Sequence, residues 1–187
     1  MQKLIAEENC SVWAEGQAKD KVGGKTRAEL GPSPALAVWT TPPGPDEFAD
    51  TLAKVEPQKV YLFAVDPGEE ASGPFINHLS GLVKYALNKK QGLANINILA
   101  AALAQRENAV LKGLHFLENR GIVTIAWAKG GKGSVAEVIL TPGIARPPSE
   151  FESIQFALKA ILTETLEYRR YFKNAALPSL FSSYKIG

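Results

Sequence analysis

Three consecutive amphipathic stretches followed by two short strands constrain this chain more than any other feature of its sequence. Over 72–90, Phe75, Leu79, Leu82, Val83, Ala86 and Leu87 fall on one side of a 3.6-residue period, which predicts a helix. Ser72 is placed to cap its start, and Asn88-Lys89-Lys90-Gln91-Gly92 ends it. A second helix is expected over 97–104, burying Ile98 or its neighbour Ile96 with Leu99 and Leu103. A third, over 107–119, buries Val110, Leu111, Leu114 and Leu117. Only Gln105-Arg106 separates these two, which suits a helix-turn-helix corner. After Arg120-Gly121, residues 122–127 and 135–140 read as strands around a basic, glycine-rich tip, Ala128-Lys129-Gly130-Gly131-Lys132-Gly133-Ser134. Three helices followed by a two-stranded hairpin is the order of a winged helix.

The part before this segment has a different grammar. Ala35-Leu36-Ala37-Val38-Trp39 and Val60-Tyr61-Leu62-Phe63-Ala64-Val65 are continuous apolar runs, as expected of strands covered on both faces. Between them, 46–55 is helical, with Phe48, Leu52 and Val55 at spacings of four and three. Thr40-Thr41-Pro42-Pro43-Gly44-Pro45 and Glu56-Pro57 punctuate the ends. Strand, helix, strand with short links implies a crossover and parallel pairing. Cys10-Ser11-Val12-Trp13-Ala14 adds a third strand, and 15–31 reads as a polar loop. Beyond 142, the stripe Phe151, Ile154, Leu158, Ile161, Leu162, Thr165, Tyr168 and Phe172 predicts a helix over 149–173 that packs back across both parts. The expected architecture is α/β: a small parallel βαβ lobe in 1–70, a winged-helix module in 71–142, and a long C-terminal helix in 143–187.

Charge is unevenly distributed. Residues 1–70 carry 7 Lys+Arg against 12 Asp+Glu, 71–142 carry 8 against 3, and 143–187 carry 6 against 4. The middle segment is therefore the basic one; basic segments attract polyanions, and the equal alternative on charge alone is a solvated charged face. No apolar run approaches the roughly 18 residues of a membrane span, so no membrane partner is expected. The start, MQKLIAEENC, is too polar for the core of a signal peptide. Cys10 is the single cysteine, so neither a disulfide framework nor a cysteine metal cluster is expected. A cytoplasmic location fits these features.

Catalytic and cofactor signatures are absent from the sequence. Gly24-Lys25-Thr26 resembles the end of a phosphate-binding loop, but position 19, where that motif needs Gly, is Lys, and the segment is polar rather than strand-led. Gly131-Lys132 is followed by Gly133 instead of Ser or Thr. His78 and His115 each lie on an amphipathic helix without a metal-ligand partner, and read as boundary or core residues. Glu69-Glu70 beside Asp66 is either a cation site or a solvated loop. No cofactor is expected.

The candidate binding face is the third helix and the hairpin tip. Asn108 and Lys112 lie off the apolar stripe, Arg106 precedes the helix, Arg120 follows it, and Lys129 and Lys132 sit in the tip. In a DNA-binding winged helix the third helix enters a groove and the wing touches backbone, so these side chains would contact phosphates first. Glu107 and Glu118 weaken that reading, and protein docking or a purely structural role is the equal alternative. In Tyr168-Arg169-Arg170-Tyr171-Phe172-Lys173, Tyr168 and Phe172 match the buried stripe while Arg169, Arg170 and Lys173 read as solvated; the other reading is a base-stacking, phosphate-holding tail.

Four stretches carry a family likeness. They are Leu36-Ala-Val-Trp-Thr-Thr-Pro-Pro-Gly-Pro45 with Pro57-Gln-Lys-Val-Tyr-Leu-Phe-Ala-Val-Asp-Pro67; His78-Leu-Ser-Gly-Leu-Val-Lys-Tyr-Ala-Leu87; Leu99-Ala-Ala-Ala-Leu-Ala-Gln-Arg-Glu107 leading to Gly113-Leu-His-Phe-Leu117; and Glu167-Tyr-Arg-Arg-Tyr-Phe-Lys-Asn-Ala175. In these the chain resembles the C-terminal, non-catalytic region of the bacterial RecJ family of single-strand-specific 5′-to-3′ DNA exonucleases. The family's catalysis uses Asp-His-His motifs and two divalent ions, and no such motif is present in this sequence. The resemblance therefore implies no catalytic residue here. It implies an accessory role in DNA repair or recombination, with single-stranded DNA, single-stranded-DNA-binding protein or an exonuclease catalytic domain as partner. A docking scaffold without DNA contact and a winged-helix transcription regulator are the alternatives.

Overall fold

The computed structural model describes residues 9–68, 71–127, 137–144 and 151–181, which form a mixed α/β structure with a small parallel sheet and a long C-terminal helix. Two units divide it: the described residues of Met1–Gly68 with Thr165–Gly187, and those of Glu69–Glu164.

In the first unit, β1 (Cys10–Trp13), β2 (Ala35–Thr40) and β3 (Lys59–Val65) form a parallel sheet in the order β1-β2-β3. The largely apolar β2 takes the centre, where both faces are covered. On one face Trp13, Leu36 and Val38 pack with Phe48, Leu52 and Val55 of α2 (Pro45–Val55) and with Phe172, whose ring meets Phe48 edge-on at 5.1 Å. The other face is built from small residues, Cys10, Val12, Ala14, Ala35 and Ala37. Extended Gly44 and Pro45 start α2, Asp46 and Glu47 complement its N-terminal dipole, and left-handed Glu56 ends it before Pro57.

Two expectations for this unit are corrected. The stretch 15–31 is not all loop: it contains the short helix α1 (Ala18–Val22), closed by left-handed Gly23. β3 is not buried on both faces, because it is an edge strand with one neighbour, and Phe63 and Val65 stay exposed. Apolar content alone does not distinguish a central from an edge position. β3 also carries a bulge: Val38 pairs with Leu62 but Thr40 with Val65, and the extra residue brings Ala64 to φ +53°. A bulge twists an open edge away from further pairing.

The second unit runs α3 (Ser72–Lys89), β4 (Leu93–Asn95), α4 (Ile96–Ala102), α5 (Glu107–Asn119), β5 (Val123–Trp127), β6 (Glu137–Pro142) and the first part of α6 (Phe151–Asn174). Its antiparallel sheet has the order β4-β6-β5. Phe75, Leu79 and Val83 of α3, Ile96 and Leu99 of α4, Val110, Leu114 and Leu117 of α5, and Val123, Val138 and Leu140 of the sheet share one core with Leu158 and Leu162. Gly92, at φ +79°, turns the chain from α3 into β4. Its carbonyl accepts from Leu140 N at 2.8 Å, and a Cβ there would run into the Leu140 carbonyl.

Here too the details differ from expectation. The sequence does not announce β4, since a three-residue strand with Ala94 as its single buried member has no readable alternation. Ser72 is the first helical residue of α3 rather than its cap; extended Ala71 takes the cap position without a side-chain bond. Of the two alternatives left open for α4, Ile96 enters the core as expected of one of them, while Ile98 is 61% exposed. The corner between α4 and α5 spans 103–106 and not two residues, because α4 ends at Ala102 and Ala104 adopts φ +49°. The expected strand start at 135–136 lies outside the described residues.

The residues of α6 are shared between the units. Leu158 and Leu162 serve the second core, and Phe172 the first, where Leu180 and Phe181 around the short α7 (Leu177–Leu180) also pack. Arg169 is 1% exposed, which corrects its expected solvation. Its spacing from Thr165 and Phe172, four and three residues, keeps it on the buried side of a 3.6-residue period. Arg170 is solvated and pairs with Glu167 at 2.7 Å, and Lys173 pairs with Asp66 at 2.9 Å.

Candidate nucleic-acid interface

α5 buries Ala109, Val110, Gly113, Leu114, Phe116 and Leu117, and this fixes which side faces solvent. Gly113 packs tightly against α3: a Cβ there would sit 2.5 Å from Leu79 Cδ2 and 2.8 Å from Phe75 Cε1. Asn108 and Lys112, four residues apart, come out exposed on the same side. The Asn95 side chain accepts from Ile98 N at 3.1 Å and caps the N-terminus of α4.

The remaining expected contacts are each engaged differently. Arg106 is largely covered, and its Nη1 lies 3.4 Å from Glu164 Oε2. Arg120 is exposed, with its guanidinium 5.0 Å from the Phe116 ring centre and 5.1 Å from that of Phe151. The two rings lie 5.2 Å apart and orient the cation without neutralising it. Lys129 and Lys132 lie outside the described residues.

Of the acids that weaken a basic surface, Glu118 is tied down. Its Oε1 accepts from Ile125 N at 3.1 Å, and its Oε2 is 3.5 Å from His115 Nδ1. Glu107 remains exposed at the first turn of α5. The structure also displays a residue that the basic pattern does not select: Trp127 at the end of β5 is 55% exposed. The signal for it is the alternation Val123, Ile125, Trp127, which continues past the core.

The first unit offers no phosphate cradle at Gly24-Lys25-Thr26. Lys25 donates its N–H to Val12 O at 2.8 Å and accepts from Ala14 N at 2.9 Å, so the segment extends the sheet beside β1. Thr26 Oγ1 donates to Glu29 Oε2 at 3.0 Å. Asp66 holds Lys173 and the Gly68 N–H; its expected companions Glu69 and Glu70 lie outside the described residues. Among the described residues no group of three His, Cys, Asp or Glu is placed to hold a metal ion. None of their helices is long and apolar enough to cross a membrane.

No protein-family model, curated protein or solved structure matches this chain.

Proposed function

We propose that this chain is a non-catalytic accessory region of a single-strand-specific DNA exonuclease, and that its second unit is a winged-helix module contacting DNA. The observation that carries the reading is the order of the second unit. Helix, strand, helix, helix and hairpin close into a β4-β6-β5 sheet and leave Asn108 and Lys112 of the third helix exposed. The basic character of 71–142 and the RecJ-like stretches support it. In this reading Arg106, Asn108, Lys112 and Arg120, with Lys129 and Lys132 of the wing, contact backbone phosphates, and the catalytic metal centre belongs to another polypeptide segment.

Fluorescence anisotropy of labelled single-stranded and duplex oligonucleotides at two salt concentrations tests this. Binding that weakens steeply with salt is expected, because each phosphate contact releases counterions. Replacing Lys112, Lys129 and Lys132 together by Ala should weaken it further. Unchanged affinity in that triple variant would remove the helix-and-wing version of the reading.

One observation favours a docking scaffold as the second reading. Leu93, Ile139 and Ala126 are paired across the three strands and form an exposed apolar row on the outer face of the sheet. Titration with an acidic peptide, in parallel with the oligonucleotides, separates the two readings.

A further inference from the structure

β5 runs off the edge of the core. Val123, Ile125 and Trp127 alternate onto the face of the sheet that carries the helices. Val123 is fully buried, Ile125 packs partly against the core, and Trp127 stands 55% exposed opposite Val138. The other two tryptophans are occupied. Trp13 is 1% exposed and donates Nε1–H to Glu15 at 2.9 Å, while Trp39 is half-buried with its ring 5.0 Å from Phe63.

We propose that Trp127 is a stacking platform for an unpaired nucleobase. This rests on the reading of the second unit as a DNA-contacting module and assigns to it a residue that reads bases rather than phosphates. An indole face matches a base face in size and polarisability and accepts any base, because every base has a π-face. Bases inside a duplex already have both faces covered, so a platform at a strand end takes bases from a single strand. An exposed indole by itself would equally suit a protein partner. The charge of the unit as a whole favours a polyanion: the segment 71–142 carries 8 Lys+Arg against 3 Asp+Glu, and Lys112 and Arg120 are exposed within it. That is the complement of a phosphate backbone.

The test uses the full chain and its own fluorescence, excited selectively at tryptophan. Oligothymidylate, a duplex of equal length and base-free polyphosphate are titrated at about 50 mM salt. Stacking on Trp127 predicts quenching by oligothymidylate and none by polyphosphate. Trp127→Leu should lower oligothymidylate affinity roughly 5- to 150-fold, with Trp127→Phe retaining most of it. Because Trp127 is exposed, the urea midpoints of both variants should match that of the parent. Tight oligothymidylate binding with no quenching and no loss in Trp127→Leu would overturn the platform and leave the DNA reading standing. Failure of the parent to bind any oligonucleotide, with Trp127 still open to iodide quenching, would overturn both and turn the indole towards a protein partner.

Discussion

Glu15, 1% exposed just beyond the end of β1, holds Arg27 in a two-pronged pair, with Arg27 Nε donating to Oε1 at 2.8 Å and Nη2 to Oε2 at 2.7 Å. The same carboxylate accepts from Trp13 Nε1 and from the Arg27 backbone N–H, so four donors converge on it. Lys54 adds a clamp by donating to the carbonyls of Arg27 and Ala28 at 2.8 and 3.0 Å. This network seats the polar stretch between β1 and β2 together with Leu30, which is buried in the core, and Val22, which packs partly against the small-residue face.

Removing one partner of a covered ion pair strands the other. Arg27→Met should therefore destabilise the chain by about 3 kcal/mol. Glu15→Gln should cost less, since the amide oxygen still accepts from Trp13. The urea midpoint reads both changes, and equal losses in the two variants would contradict a stranded charge as the cause.

Glu29 responds to acid. The Lys19 ammonium at 2.7 Å, followed by the Thr26 N–H, lowers its pKa from 4.5 to about 2. A carboxylate depressed by folding contributes stability that is fully present above pH 4.5 and is lost as pH falls through about 2. Both side chains are about a third exposed or more, so screening keeps the effect below about 1 kcal/mol. Glu29→Gln should flatten the stability profile in that window, and a profile identical to the parent's between pH 4.5 and 2 would rule the ion pair out as its source.

Gly113 marks where α5 touches α3. Gly113→Ala forces a methyl against Phe75 and Leu79, which overpacking predicts to cost about 1–3 kcal/mol. A lowered thermal midpoint is expected. A stability equal to the parent's would show that the two side chains can yield.

Arg120 combines two roles that separate experimentally. Its contact with the Phe116 and Phe151 rings is worth about 0.5–1 kcal/mol at an exposed site, so Arg120→Ala should lower stability by that amount. If it also contacts a phosphate, the slope of log affinity against log salt should fall by about one. Phe151→Leu should reproduce part of the stability loss with little change in that slope.

The helices that build the candidate site are readable in the sequence because each spans several turns with one apolar side. α3 and α5 both put their periodic residues, such as Leu79, Val83, Leu114 and Leu117, into the core. With that side committed, Asn108 and Lys112 have to face solvent. Short or ambiguous segments are not readable. Ile96 and Ile98 fit either side of one helical turn, and Ile96 enters the core because Asn95 caps the helix one residue before it. Arg106 and Arg120 are both recognisable as cations. Nothing local reveals that Glu164 lies beside the first, 58 residues away, or that Phe151 lies under the second.

Periodicity and punctuation alone determined the apolar β2, the parallel crossover through α2, the amphipathic faces of α3, α5 and α6, and the polarity of the segments between them. These are properties of a few consecutive residues and the solvent. Everything that depends on a neighbour distant in the chain was settled by tertiary packing. It placed β3 at an edge, inserted β4 beside β6, sank Arg169 and Glu15 out of solvent, and carried Trp127 past the end of the core. In each case the residue type permits either environment, and the outcome is set by which surface remains uncovered once the larger apolar faces have packed.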